Sequence, residues 1–169
     1  MKQICELNDR IVLGTEGLSA KAPRITARAI VRNQDGSYAV MYADKWKLHS
    51  LPGGGVEDGE DVRTALRREV YEETAVQIRI ETDFRETVHY SPLPGVSKEV
   101  VYFLTETKQT EIKPREGEIA QVEWVPLEEA ESSLTHENDK TVFRSAMRKL
   151  RRMQARKRKK ERASSDSAK

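Results

Sequence analysis

The stretch Leu51-Pro-Gly-Gly-Gly-Val-Glu-Asp-Gly-Glu60-Asp-Val-Arg-Thr-Ala-Leu-Arg-Arg-Glu-Val70-Tyr-Glu-Glu-Thr-Ala-Val76 sets three consecutive glycines before a segment with helical spacing. Gly53, Gly54 and Gly55 permit backbone angles barred to other residues, so a tight loop is expected there. Asp58, Glu60 and Asp61 are acidic residues of the kind that favour a helix N-terminus, which predicts a helix running to about Thr74. At 100° per residue Val62, Ala65 and Leu66 share one side of that helix, as a stripe facing a core should. Glu69 and Glu73 fall within about 20° of Val62, and Glu72 about 80° away, so the apolar stripe turns acidic in its last two turns.

Like charges at these spacings weaken a helix unless a cation neutralises them. A solvated glutamate face would lie opposite the apolar stripe, whereas this one shares its side. The pattern therefore predicts a carboxylate cage for Mg2+, with Mn2+ as the alternative, since a hard ion takes oxygen ligands and keeps waters that a phosphate can displace. Arg68, four residues before Glu72, is placed to hold that carboxylate in one rotamer.

Upstream, Arg24 to Arg32 alternates Ile25, Ala27, Ala29 and Val31 with Arg24, Thr26, Arg28 and Arg32, which reads as a strand. Asn33-Gln-Asp-Gly36 supplies a turn, and Ser37 to Ala43 returns as a second strand, so the pair reads as a hairpin. Trp46 to Ser50 gives a short extended piece. Strand-like stretches follow at Val76 to Ile80, Phe84 to Tyr90, Glu99 to Glu106 and Gln121 to Val125, then a short helix over Leu127 to Ser132 and a longer one from about Lys140. Early and late helices among hairpin strands predict an α/β fold, a mixed β-sheet sandwiched between α-helices.

The 169 residues suit one domain, expected over 1–150, followed by a basic segment over 151–169 that is expected to be partly disordered. Of 30 Lys and Arg, 12 lie from Arg144 onward against Glu161 and Asp166, so that end carries 12 − 2 = +10; with a total of +2, residues 1–143 carry 2 − 10 = −8. An acidic body acting on a polyanion needs positive charge between the two, which a divalent metal supplies. No apolar run reads as a membrane span or leader, and the expected location is cytoplasmic. Cys5 has no second thiol to pair with, and His49, His89 and His136 lack metal-ligand spacing.

Gly54, Glu60, Arg68-Glu69-Val70-Tyr71-Glu72-Glu73-Thr74-Ala75-Val76 resembles the Nudix box: Gly, five residues, Glu, seven residues, Arg-Glu, an aliphatic, any residue, Glu-Glu, any residue, Gly, an aliphatic. The resemblance implies the Nudix fold and hydrolysis of a phosphoanhydride bond in a nucleoside diphosphate derivative by water attack on phosphorus. It implies metal binding by Glu69, Glu72, Glu73 and the Gly54 carbonyl, orientation by Arg68, and a bracing role for Glu60. Ala75 stands where the family prefers glycine, which predicts an adjusted helix end rather than lost activity.

Further along, Phe84-Arg-Glu-Thr-Val-His-Tyr90, Lys98, Val101 to Glu106, and Glu118 six residues before Trp124 resemble the dinucleoside polyphosphate hydrolases, especially the diadenosine tetraphosphate group. By that likeness Tyr90 stacks on a base, Lys98 meets a phosphate, and Glu118 approaches the metals as a further ligand and catalytic carboxylate. The plain alternatives are a half-buried strand tyrosine, a solvated hairpin lysine and one more surface carboxylate. Pro52-Gly53-Gly54 departs from the Pro-Lys-Gly of that group and removes a phosphate contact, for which Arg28 is the candidate replacement. Nucleoside triphosphates, sugar nucleotides, ADP-ribose and the 5′ end of RNA stay open as substrates. A rival reading is a weakly active Nudix-fold RNA-binding or regulatory protein, in which the basic segment makes nonspecific, salt-sensitive RNA contact.

Overall fold

The computed structural model describes residues 3–7, 10–14, 22–117 and 121–166. Its strands are β1 (Gln3–Leu7), β2 (Arg10–Gly14), β3 (Arg24–Arg32), β4 (Tyr38–Ala43), β5 (Leu48–Ser50), β6 (Gly53–Gly55), β7 (Arg79–Leu93), β8 (Val96–Glu106) and β9 (Gln121–Val125). A 3₁₀ turn, Asp44–Trp46, precedes β5, and the helices are α1 (Val62–Thr74), α2 (Leu127–Ser133) and α3 (Glu137–Asp166). The antiparallel pair β1 and β2 lies in residues whose sequence had suggested no element.

β3 and β8 are the spine of the sheet and run parallel over nine consecutive residue pairs, from Arg24↔Lys98 to Arg32↔Glu106. Period-two alternation divides their side chains between two cores. Ala27, Ala29 and Val31 with Val101 and Phe103 face Leu66 and Val70 of α1, and small alanines let that helix approach closely. Ile30 with Val100, Tyr102 and Leu104 faces Ala130 of α2 and Val142, Phe143, Ala146 and Met147 of α3. The expected mixed sheet between helices is thus present, but β3 is buried on both faces rather than one.

The expected hairpin is present but short. β3 and β4 share one antiparallel pair, Arg32↔Tyr38, and then part. Where β4 leaves, the glycine stretch takes its place on β3 as β6, through Thr26↔Gly55, Ala27↔Gly54 and Arg28↔Gly53. β4 pairs instead with β5 and β9. Of the stretch expected at Val76 to Ile80 only Arg79 and Ile80 are in a strand, and they join the stretch expected at Phe84 to Tyr90 in one long strand, β7, with an irregularity against β8 between Ile80 and Arg85.

Two helix ends differ from expectation. α3 continues to Asp166 through the segment expected to be partly disordered, because residues 140–166 contain neither glycine nor proline and are rich in Arg, Lys and Ala, all strong helix formers. At the end of α1, Ala75 makes no adjustment: it adopts the left-handed conformation itself, φ 59°, and its N–H donates to the Tyr71 carbonyl at 2.8 Å. A Cβ in that region costs about 1 kcal/mol. Ala75→Gly is therefore expected to stabilise the protein by about 1 kcal/mol, raising the urea midpoint; an unchanged midpoint would show that no strain resides there.

Candidate functional site

α1 begins on Asp61, whose side chain accepts from the N–H groups of Arg63 at 2.9 Å and Thr64 at 3.1 Å, satisfying two of the donors every helix start leaves open. Ala65, Leu66, Val70 and Thr74 form its buried face. Glu69 and Glu73 flank that face, half-buried, and Glu72 lies farther round and more exposed.

Arg68 joins the helix to the glycine loop. Its Nε and Nη2 donate to the two carboxylate oxygens of Glu60, both at 2.9 Å, and Nη2 also donates to the Gly55 carbonyl at 3.1 Å. Glu60 in turn accepts from the Glu57 N–H at 3.1 Å. The Arg68 hydrogen bonds, then that backbone donor, hold the Glu60 carboxyl below the usual carboxylate range. Arg68 Nη1 donates to Glu69 at 2.7 Å and lies 3.6 Å from Glu72. The arginine expected to fix Glu72 therefore grips Glu69 and Glu60 more closely, while Glu72 stands between Arg68 and Arg115, 3.6 Å from each.

The loop meets the carboxylates without intervening side chains. Gly53 N–H donates to Glu73 at 2.8 Å, and a Cβ built on Gly54 would fall 2.4 Å from the Glu69 carboxyl carbon. Gly53 has φ +138°, and a Cβ there would lie 2.0 Å from the Ala27 carbonyl oxygen. Glycine at both positions is what lets β6 lie between β3 and the acidic side of α1. Among the described residues no three His, Cys, Asp or Glu side chains converge closely enough to hold a metal as they stand, since two guanidiniums sit among the carboxylates. The donor set still suits a hard cation: three carboxylates within two helical turns, facing a backbone with room for no side chain.

Across the loop lie cations. Arg28 donates from Nη1 to the Leu51 carbonyl at 2.6 Å. Burial works against its charge, but Asp139, Tyr102 and Glu73 outweigh it, and its pKa is held above the ordinary value. Lys98 is the cross-strand partner of Tyr90, with its ammonium 5.9 Å from that ring's centre. Burial, then Arg28 and Arg24, pull its pKa down. Behind them the Tyr102 hydroxyl donates to the buried Asp139 at 2.6 Å.

Two clefts flank this region. One, of about 510 Å³, has Arg24, Arg28 and Lys98 among its lining and no carboxylate, with Gly54 and Gly55 on one side and Val96 on another. The second, of about 500 Å³, includes Arg28, Gly53, Glu73, Gly117 and His136. Trp46 belongs to both and is 65% exposed, with Lys45 4.9 Å from its ring centre. Sequence reasoning passed over Trp46; the available signal was a lone indole in the charged run Asp44-Lys-Trp-Lys47. Glu118 lies outside the described residues, although its neighbour Gly117 lines the second cleft.

The sequence profile of the NUDIX domain matches residues 22–146. Nudix hydrolase 6 of Arabidopsis thaliana is 31% identical over 125 residues, which is 71% of this chain and 40% of that protein. An RNA pyrophosphohydrolase of Shewanella denitrificans is 38% identical over 72 residues, 40% of this chain and 41% of that one. The match thus takes in less than half the length of either relative. Among solved structures, a C. elegans Ap4A hydrolase binary complex superposes with TM-score 0.67 at 23% identity, over 75% of this chain and 97% of that one.

Gly53→Ala is expected to cost about 3 kcal/mol or more, because the added methyl meets backbone on a strand that cannot move without disturbing β8. Thermal unfolding checks this; a melting temperature within a degree or so of the parent would mean that β3 yields freely.

Proposed function

This chain belongs to the Nudix family, and from that membership and the geometry of its glycine loop we propose that it hydrolyses a phosphoanhydride bond in a nucleoside diphosphate derivative with the help of Mg2+ or Mn2+. The observation that carries the reading is the contact of loop and helix, in which Gly54 meets Glu69 and Gly53 meets Glu73 with no side chain between. Glu69, Glu72, Glu73 and the Gly54 carbonyl are the groups that would hold the metal, with Glu118 as a further carboxylate. When bound, the metal supplies charge neutralisation for the phosphate oxygens and polarises the phosphorus toward attack.

The chain's own residues supply the rest. Arg68 fixes Glu69 and Glu60 in place through its hydrogen bonds, so those carboxylates need no reorganisation as charge develops. Glu73 accepts from the Gly53 N–H, which fixes its carboxylate against the glycine loop, where a carboxylate can act as a proton acceptor. Arg28, Lys98 and Arg24 form a positive floor for a phosphate chain entering from the first cleft. Tyr90 beside Lys98, and Trp46 at the junction of the clefts, are the rings available to a base.

A dinucleoside polyphosphate is the narrower substrate reading. Two clefts of similar volume meeting at Trp46 and Arg28 support it, since a two-ended substrate can place its ends on opposite sides of one phosphate-binding point. Nucleoside triphosphates and RNA 5′ ends are the competing substrates for the same loop and helix.

Glu72→Gln and Glu73→Gln are each expected to lower turnover by about a hundredfold or more while the fold is kept. Rates near the parent's for both would remove the metal assignment. In a panel of diadenosine tetraphosphate, nucleoside triphosphates and 5′-triphosphorylated RNA, with products identified, the first is expected to give the highest kcat/KM. Trp46→Ala and Tyr90→Ala are expected to raise KM with little change in kcat, and a ring whose loss leaves KM unaltered is not the stacking surface.

A further inference from the structure

α3 changes character along its length. Over its first half Val142, Phe143, Ala146 and Met147 are buried against the sheet, and Leu150 packs on their edge. Met153 and Gln154 are the last residues with partial burial, and from Ala155 to Ser165 every residue is exposed. Those eleven residues are about 16 Å of solvent-exposed helix. The family match ends at residue 146, so this stretch lies beyond it.

Charge is concentrated where packing stops. Between Arg148 and Arg162 stand ten Lys or Arg and one acid, Glu161. Like charges are set four apart at Arg148 and Arg152, Arg152 and Arg156, Arg156 and Lys160, and Arg158 and Arg162, each pair weakening the helix. Among the described residues, the ion pairs α3 makes are Lys140 with Glu137 and Arg144 with Glu131, both before this run. The helix projects ten cations whose mutual repulsion an external polyanion would relieve.

We infer that the exposed C-terminal half of α3 is a binding site for the phosphodiester backbone of a nucleic acid duplex. The chemistry selects among polyanions. Residues 155–166 offer only Ala155 and Ala163 as apolar side chains, so no apolar face exists to enter the acyl region of an anionic membrane. The same stretch has no aromatic ring on which an unstacked base could lie, which removes the main source of affinity for single strands. A rigid cationic rod meets instead an array of phosphates at regular spacing, and counterion release drives the association. The net −8 of residues 1–143 opposes spreading of the same polymer over the body as a whole and favours contact at the helix.

The test is fluorescence anisotropy of the full chain with labelled RNA duplex, DNA duplex and single strands, with vesicles of anionic and neutral lipid as competitors. Binding to a duplex is expected to weaken several hundredfold between about 50 and 200 mM salt, as release from about five phosphates requires. Replacing Arg156, Lys157, Arg158, Lys159 and Lys160 together by Gln is expected to weaken binding tenfold or more and flatten the salt slope. The charge-preserving pair Arg156→Lys and Arg158→Lys should bind as the parent does, and circular dichroism of both variants separates lost charge from lost helix. RNA and DNA duplex arms distinguish the two sources of the same backbone. A Gln variant that binds as tightly as the parent, single strands preferred to both duplexes, or displacement by anionic vesicles alone would overturn the inference. Since no turnover is read, the outcome is independent of the hydrolase reading.

Discussion

The guanidinium of Arg68 is the joint at which the loop, the helix and the acidic cluster are made one object. It spends two donors on Glu60, one of which it shares with the Gly55 carbonyl, and a third on Glu69. A planar fork suits this work where an ammonium would not, because the directions of its N–H bonds are fixed relative to one another. With the loop held by that fork, Gly53 and Gly54 lie flush against Glu73 and Glu69, and β6 is aligned on β3. The order of dependence runs from one charged side chain to the register of a strand, and from that register to the fit of the loop against the carboxylates.

Much of this was legible in the sequence because it is local. The helix from Val62 to Thr74 and its acidic turn follow from periodicity, and the bracing of the loop by Glu60 appears in the structure as the family likeness implies. What was not legible is non-local. Alternation along β3 suggested one buried face and a hairpin with β4, but parallel pairing with β8 and the entry of β6 are decided by residues far away in the chain. Ile30 was the local clue to a second buried face, since it breaks the alternation. The left-handed Ala75 shows the opposite case, where tertiary context holds a residue in a conformation its own preferences oppose.

The cations show a similar division. Arg28 reads from sequence as a polar residue on a strand, yet its neighbours are Tyr102, Asp139 and Glu73 from three different elements. Only the fold brings it between the acidic helix and the cationic cleft, and only the fold reveals that Trp46 joins it in lining both clefts. The acidic body and the basic end of α3 are visible in a charge count, whereas the continuity of that end with a packed helix is not.

The parting of β3 from β4 after a single residue pair has a geometric consequence. Arg28 on one strand and Met41 and Ala43 on the other line the second cleft, so the cleft is the opening between two blades that meet at Arg32 and Tyr38. Its walls belong to strands held by different neighbours, β8 and β6 on one side and β5 and β9 on the other. The width offered to a ligand is accordingly an angle measured at the pivot, growing with distance from it, and the residues that set that angle lie outside the cleft.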